Sequence, residues 1–568
     1  MAHSYYPIDE NPAQSLRACA FYLAQDIAEP SARTETLEHI VQHYLAAGDL
    51  TQAAQALEPL YDVRDNYQRE QCFVHLAGYA AAYGHDDFAW AVADACAEDE
   101  SQDLARHSIA LGQATRGDFP AARETALTLG YPEPTLTDIA QTIAAQDPAQ
   151  AVALAADAQE PRARAVILCH AVTRYLALED QVAARAALDE AAVTLDEIDL
   201  PDEQVETLCA VGTGYAALGA TERAQELLSE AQSIAEDEAD DRLLLRVAQA
   251  WRETGDTARA IYVAEEIDAF DIGGLWVDIA YTQARAGDFA AARATLATLP
   301  PEGLAHAQGL WAVGLAYQKN DDIAQSRALW ERAAEITLRS RVKTTEDANT
   351  RQRILANLTE AFLSLPDAAA ARQTAAAIGD VELRDAAWQN IAAREADDGR
   401  FRDALKTLES MSPLARAVAQ AELAQQIAGF EARTTRDWTL AHSTLANLDA
   451  QAHVTRLAAH LALAGFFQQN EAPDEAALLL EKAQHAAESL ARPADSALAL
   501  AEIASFQARH EASGPAASLL SAAVQKTALL TDTYDLARVL LALAVQHDTI
   551  GGALDEPARA TLERHLPV

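Results

Sequence analysis

The feature that most constrains this chain is a phrase that returns. Residues 115–129 read TRGDFPAARETALTL, and residues 285–299 read RAGDFAAARATLATL. Each carries Gly-Asp-Phe, a run of small residues, an arginine and a leucine-bearing stripe. Looser versions turn at Gly48-Asp49, Gly84, Gly219, Gly255-Asp256, Asp321-Asp322, Pro366-Asp367 and Asp398-Gly399, with further equivalents near Ala432, Asn470, Glu511 and His547. Successive turns are mostly 30 to 39 residues apart. A period of that size predicts a solenoid of helical hairpins, because one hairpin cannot bury its apolar face alone but a row can.

Each part of the phrase has a physical use. Glycine ends the first helix in the left-handed conformation, and the Asp or Thr that follows accepts N–H groups at the start of the second. Small residues, such as Ala291-Ala292, Ala224 and Ala260, let the two helices approach. A bulkier residue such as Leu296, Leu228 or Trp330 then fills the space between hairpins. Alanine, the best helix former, dominates; aromatics are 6% and runs of Val, Thr and Ile are absent. The prediction is an all-α chain.

The stretch LCAVGTGYAALGATERAQELLSEAQSI holds Leu208, Val211-Gly212, Tyr215, Gly219, Ala224, Leu228 and Ala231 in an ordered series. Trp276, Ile279-Ala280, Gly287, Ala292 and Leu296 repeat it, as do Trp388, Ile391-Ala392, Gly399, Ala404 and Leu408. Leu310, Val313-Gly314, Tyr317, Ser326, Trp330 and Ala333 make a fourth case. This series resembles the tetratricopeptide repeat in a degenerate form, with the repeat-ending proline mostly missing. The resemblance runs from about residue 15 to 565. It implies a right-handed α-solenoid of roughly fifteen hairpins, and the family's usual work of binding another protein.

Within that array, residues 1–14 form an N-terminal segment and 15–336 a first lobe. The stretch 337–353, with Arg339, Arg341 and Lys343, is a long connection, and 354–568 form a second lobe. The end helix from Glu556, with Arg559, Glu563, Arg564 and His565, reads as a polar cap. Tyr5, Tyr6 and Ile8 are expected to pack across the first hairpin.

The formal charge is −43. A polyanion repels nucleic acid and anionic lipid at long range, so neither is an expected partner. Lysine occurs only at Lys319, Lys343, Lys406, Lys482 and Lys526, a bias that fits either a salt-rich cytoplasm or a GC-rich genome. The cysteines, Cys19, Cys72, Cys96, Cys169 and Cys209, include no Cys-x-x-Cys pair, so no disulfide framework or zinc site is expected. The start has no basic segment followed by an apolar run, and no apolar stretch is long enough to span a membrane. The expected compartment is the cytoplasm.

Chemistry is sparse. No phosphate loop, nucleophile elbow or zinc-protease helix occurs. His39 and His43, four apart with Glu35 one turn earlier, have a spacing that suits a metal but read as a polar helix flank. Arg116-Gly117-Asp118 spells an adhesion tripeptide but is the repeat's own turn. No cofactor, metal or catalytic residue is expected. Offsets from the turns place Arg242, Gln249, Arg252, Tyr281, Arg285, Trp311, Lys319, Arg353 and Glu360 on the concave face. Arg252, Arg285 and Lys319 recur near one offset in three consecutive repeats, a basic ladder suited to an acidic or carboxylate-ended segment. The leading expectation is a non-enzymatic scaffold or adaptor that binds a protein or peptide there. The alternatives are a sensor or regulatory subunit of a bacterial signalling or defence assembly with its effector on another chain, and a solenoid-based enzyme.

Overall fold

The computed structural model describes residues 5–268, 272–365, 367–434, 438–448, 453–510 and 513–566. Among them are 31 α-helices, two short 3-10 helices and no strand. Of the turn residues named above, Pro366 and Glu511 lie outside the described residues.

The helices run in pairs. After α1 (Leu16–Gln25) come α2/α3 (Pro30–Ala46, Leu50–Tyr61), α4/α5 (Asn66–Ala82, Asp86–Asp94) and α6/α7 (Asp99–Thr115, Phe119–Ala126). Next are α8/α9 (Glu133–Gln146, Pro148–Ala155), α10/α11 (Pro161–Ala177, Gln181–Val193), α12/α13 (Pro201–Ala217, Thr221–Glu238) and α14/α15 (Asp241–Glu253, Thr257–Ala264). They continue as α16/α17 (Gly273–Arg285, Phe289–Leu296), α18/α19 (Leu304–Lys319, Ile323–Arg339), α20/α21 (Thr345–Ser364, Ala368–Ala376) and α22/α23 (Val381–Asp397, Phe401–Leu408). The rest are α24/α25 (Pro413–Thr434, Thr439–Ala446), α26/α27 (His453–Gln469, Pro473–Glu488), α28/α29 (Pro493–Arg509, Ser513–Lys526), α30 (Thr533–Ile550) and α31 (Glu556–His565). The chain is an all-α solenoid of stacked hairpins, with its core between the paired helices and the first helix of the next pair.

The recurring phrase does what its chemistry requires. At Gly287, φ is +88 and the amide donates to Ala284 O at 3.0 Å; the Asp288 amide donates to Gln283 O at 3.0 Å, and the Asp288 carboxylate accepts from the Ala291 amide at 2.9 Å. Gly117-Asp118 repeats all three bonds. Where glycine is missing, Glu179, Asp321 and Glu471 take the positive φ instead.

A second repeated device lies inside the hairpins. Thr125 Oγ1 donates to Gln113 Oε1 at 2.8 Å, Thr295 to Gln283 Oε1 at 2.8 Å, and Thr407 to Glu395 Oε2 at 2.7 Å, always twelve residues apart and always buried. A third links one hairpin to the next. Carboxylate or amide oxygens of Glu70, Gln352 and Asp385 accept from the backbone N–H of Ala97, Gly379 and Ser412, each 27 residues on. These bonds supply partners for backbone N–H groups that turns leave without one.

Two compact units emerge, Met1–Gly130 with Pro413–Val568, and Tyr131–Ser412. The stretch 337–353 lies inside the second. Residues 337–339 end α19 and 345–353 open α20, leaving 340–344 as the connection.

In the first unit the array does not stop at α30. In the contact pattern, α30 has α28 as its preceding first helix, α1 in the place of its hairpin partner, and α2 as the following first helix. One hairpin is therefore assembled from helices at opposite ends of the sequence. Arg17 of α1 forms an ion pair with Asp548 of α30, and the two helices bury Leu16, Cys19, Phe21, Leu540 and Leu543. In α31, Arg559, Glu563 and Arg564 are exposed on one face. On the other face Ala558, Thr561 and Leu562 are buried against α29 and α1, so the helix is apolar inside and polar outside. The segment before α1 runs across α1–α3. The Tyr6 amide donates to Gln25 Oε1 at 2.8 Å, Asp9 and Gln55 bond reciprocally at 2.8 Å, and Tyr44 donates to Glu10 at 2.7 Å.

Candidate functional site

First helices neighbour first helices along each unit, whereas second helices pack mainly on their own partner and the next first helix. The face made by first helices is thus the closer-packed side. In the second unit it carries a groove of about 400 Å³ across α10, α12 and α14, lined by Val166, Cys169, His170, Ala210 and Arg246 among others. His170, Ala210 and Arg246 each stand nine residues before the left-handed residue of their turn, Glu179, Gly219 and Gly255. The repeat therefore brings them into one row.

The electrostatics of the groove are uneven. Arg162 at one margin is shared between Glu203 at 3.1 Å and Glu206 at 3.4 Å. Burial lowers the pKa of His170, so it is neutral at pH 7, and burial pushes the Cys169 thiol up to about 12, out of reach of thiolate chemistry. Arg246 is half-buried, and no hydrogen bond or ion pair among the described residues holds its guanidinium. Glu206, the partner of Arg162, lines the same groove, and Arg246 is the guanidinium of this lining with no ion pair of its own.

The residues expected from sequence lie mostly further along the first helices. Arg252, Arg285 and Lys319 sit in the last turns of α14, α16 and α18, on successive first helices but at their C-terminal edge. Cations there complement the helix dipole, which accounts for their regular offset without a ligand. No bond among the described residues joins the three. Arg252 pairs with Glu253 at 3.1 Å, and Arg285 lies 6.0 Å from the Tyr281 ring centroid on its own helix. Arg242 is exposed and paired with Asp240 at 3.0 Å. Trp311 is half-buried, and its carbonyl accepts from Trp330 Nε1 at 3.0 Å. Gln249 is half-buried, and Glu360 is exposed on α20. Arg353, also on α20, borders a smaller hollow of about 230 Å³ with Gln308 and Asn357. Arg246 was missed, although counting back nine from each turn finds it.

Elsewhere the candidates thin out. Among the described residues no group of three or more His, Cys, Asp or Glu could hold a metal ion; His39 and His43 do not gather such a group. No described helix is long and apolar enough to cross a membrane. Trp330 and Trp388 are buried, and Trp276 is half-buried.

No protein-family model matches the sequence, and no curated protein does. Among solved structures, Ton1535 from Thermococcus onnurineus NA1 is 19% identical, over 55% of this chain and 96% of its own, with a TM-score of 0.24. A chain of the APC/C hetero-tetramer Cut9–Hcn1 is 13% identical over 83% of this chain and 96% of that one, TM-score 0.20. A chain of Naa15/Naa10 bound to HypK-THB is 13% identical over 94% of this chain and 99% of that one, TM-score 0.21. These superpositions carry neither residues nor activity across; the fold assignment rests on this chain's own helices.

Proposed function

We propose that the protein is a non-catalytic scaffold whose first-helix face in the second unit receives a segment of a partner protein. The observation that carries this reading is Arg246, a cation with no ion pair of its own, over the apolar floor of the α10–α12–α14 groove. The matching segment offers an apolar side chain to Val166 and Ala210 and a carboxylate to Arg246. Arg242, Arg252, Tyr281, Arg285, Trp311, Lys319 and Arg353 extend the contact along the adjoining first helices. A charge-assisted bond from Arg to a carboxylate contributes roughly 1.5–3 kcal/mol when partly desolvated.

The test is affinity capture from native lysate, followed by binding measurements with the purified partner. Arg246→Glu should weaken binding at least tenfold, about 1.4 kcal/mol, and Arg285→Glu by less. Arg339→Glu is the control, because Arg339 already pairs with Glu335 at 2.7 Å on the far helix α19. A partner that binds the Arg246→Glu chain as tightly as the native one refutes the groove.

A further inference from the structure

The α30–α1 hairpin joins opposite ends of the sequence: among the described helices, its two members come from the two stretches of chain that make up the first unit. On one side, the segment before α1 ties α1 to α2 and α3, through Tyr6 to Gln25 and Asp62, Asp9 to Gln55, and Glu10 to Tyr44. On the other side, α30 stacks on α28, and α31 lies on α29. Across the seam the polar links are few. Arg17 meets Asp548, 531 residues away in sequence, and Cys19 Sγ approaches Leu562 O at 4.0 Å. The rest of the seam is apolar, formed where Leu16, Cys19 and Phe21 on one side and Leu540 and Leu543 on the other are buried.

We propose that this seam is an interface that the protein also makes with a second copy of itself, the α30 of each chain holding the α1 of the other. The surfaces fit a second copy because they already fit within one chain, and nothing covalent at the seam distinguishes the two arrangements. Exchange of a like element between protomers creates no new contact, so it needs no new complementarity. The balance is set by concentration, since the intermolecular seam gains on the intramolecular one as chains meet more often. The seam is also head-to-tail, α1 meeting α30 and not itself. A change on one side therefore spoils pairing within a chain and is repaired only by the matching change on the other side.

That asymmetry supplies the experiment. One chain carries Arg17→Asp and the other Asp548→Arg. Alone, each sets like charges against each other across the seam, both within a chain and between identical chains. Co-expressed, the two restore opposite charges only by pairing with each other, at both seams. The expected result is that each variant alone exchanges amide hydrogens in α1 and α30 a few-fold faster than the native chain, and that the co-expressed pair sediments as a one-to-one dimer with native exchange rates restored. A co-expressed pair that remains as single chains, or variants whose α1 and α30 exchange at native rates, overturns the proposal.

If either reversal unfolds the chain, Arg17→Cys and Asp548→Cys read the same seam. Burial holds the five native thiols protonated and slow to oxidise. Oxidising the mixture should then crosslink the two variants to each other well beyond what either gives alone. Mixed crosslinking no greater than the self-crosslinking of each variant overturns the proposal.

Discussion

The buried pairs twelve residues apart are where single atoms decide stability. Thr295 and Gln283 are both buried, and the hydroxyl donates to the amide oxygen at 2.8 Å. Thr295→Val keeps the shape and leaves that oxygen without a partner, which costs about 1–3 kcal/mol. Removing both polar groups, as Gln283→Leu with Thr295→Val, should recover most of the loss, since two apolar groups need no bond. Denaturant titration of the two chains checks this; equal losses would show that volume matters and the bond does not. His460 gives a pH dependence. It is buried with Nδ1 2.7 Å from Arg456 O, and burial, with Lys482 and Arg456 nearby, lowers its pKa below 6.5. A lowered folded pKa means that the unfolded chain takes up the proton first. The stability from neutral His460 is therefore intact above pH 6.5 and is lost as pH falls below it. Thermal melting of His460→Gln should fall less than that of the native chain between about pH 7.5 and 5.5. Parallel curves would contradict the assignment. Neither the threonine pairs nor His460 stood out in the sequence, because burial of a polar side chain depends on a helix packed from elsewhere.

Among elements, the turns were legible and the closest helix contacts were not. A left-handed residue has few chemical solutions, so Gly117, Gly219, Gly255, Gly287 and Gly399 marked the turns directly, and each has φ between +75 and +88. Gly112 carries no such mark. It lies in the last turn of α6, where a Cβ would come 2.5 Å from Gly78 O and 2.8 Å from the Ala82 amide of α4. Gly112→Ala should improve helix propensity yet destabilise by about 1–3 kcal/mol, because two backbones must part. A melting temperature equal to or above that of the native chain would show that α4 and α6 have room. The candidate site was half legible for a related reason. Basic residues in the last turn recur for the sake of the helix dipole, so the ladder of Arg252, Arg285 and Lys319 was conspicuous. Arg246 follows the quieter row nine residues before the turn, beside His170 and Ala210, and only the stacking of α10, α12 and α14 makes that row a groove.

For the whole molecule, the repeat period predicted the all-α array and roughly its number of hairpins. The α30–α1 hairpin left no trace in the sequence, because no local phrase joins residues 531 apart. The net charge of −43 acts at this scale. Its self-repulsion is screened by salt, with a Debye length of about 10 Å at 0.1 M, so the melting temperature should rise from low to physiological ionic strength. A flat response would mean that the carboxylates are already compensated locally. Partner binding, the central claim, is read most directly by hydrogen exchange of the chain with and without its captured partner. Protection is predicted in α10, α12 and α14, around His170, Ala210 and Arg246. Protection confined to the second helices α11, α13 and α15, with the groove exchanging at unchanged rates, would contradict it.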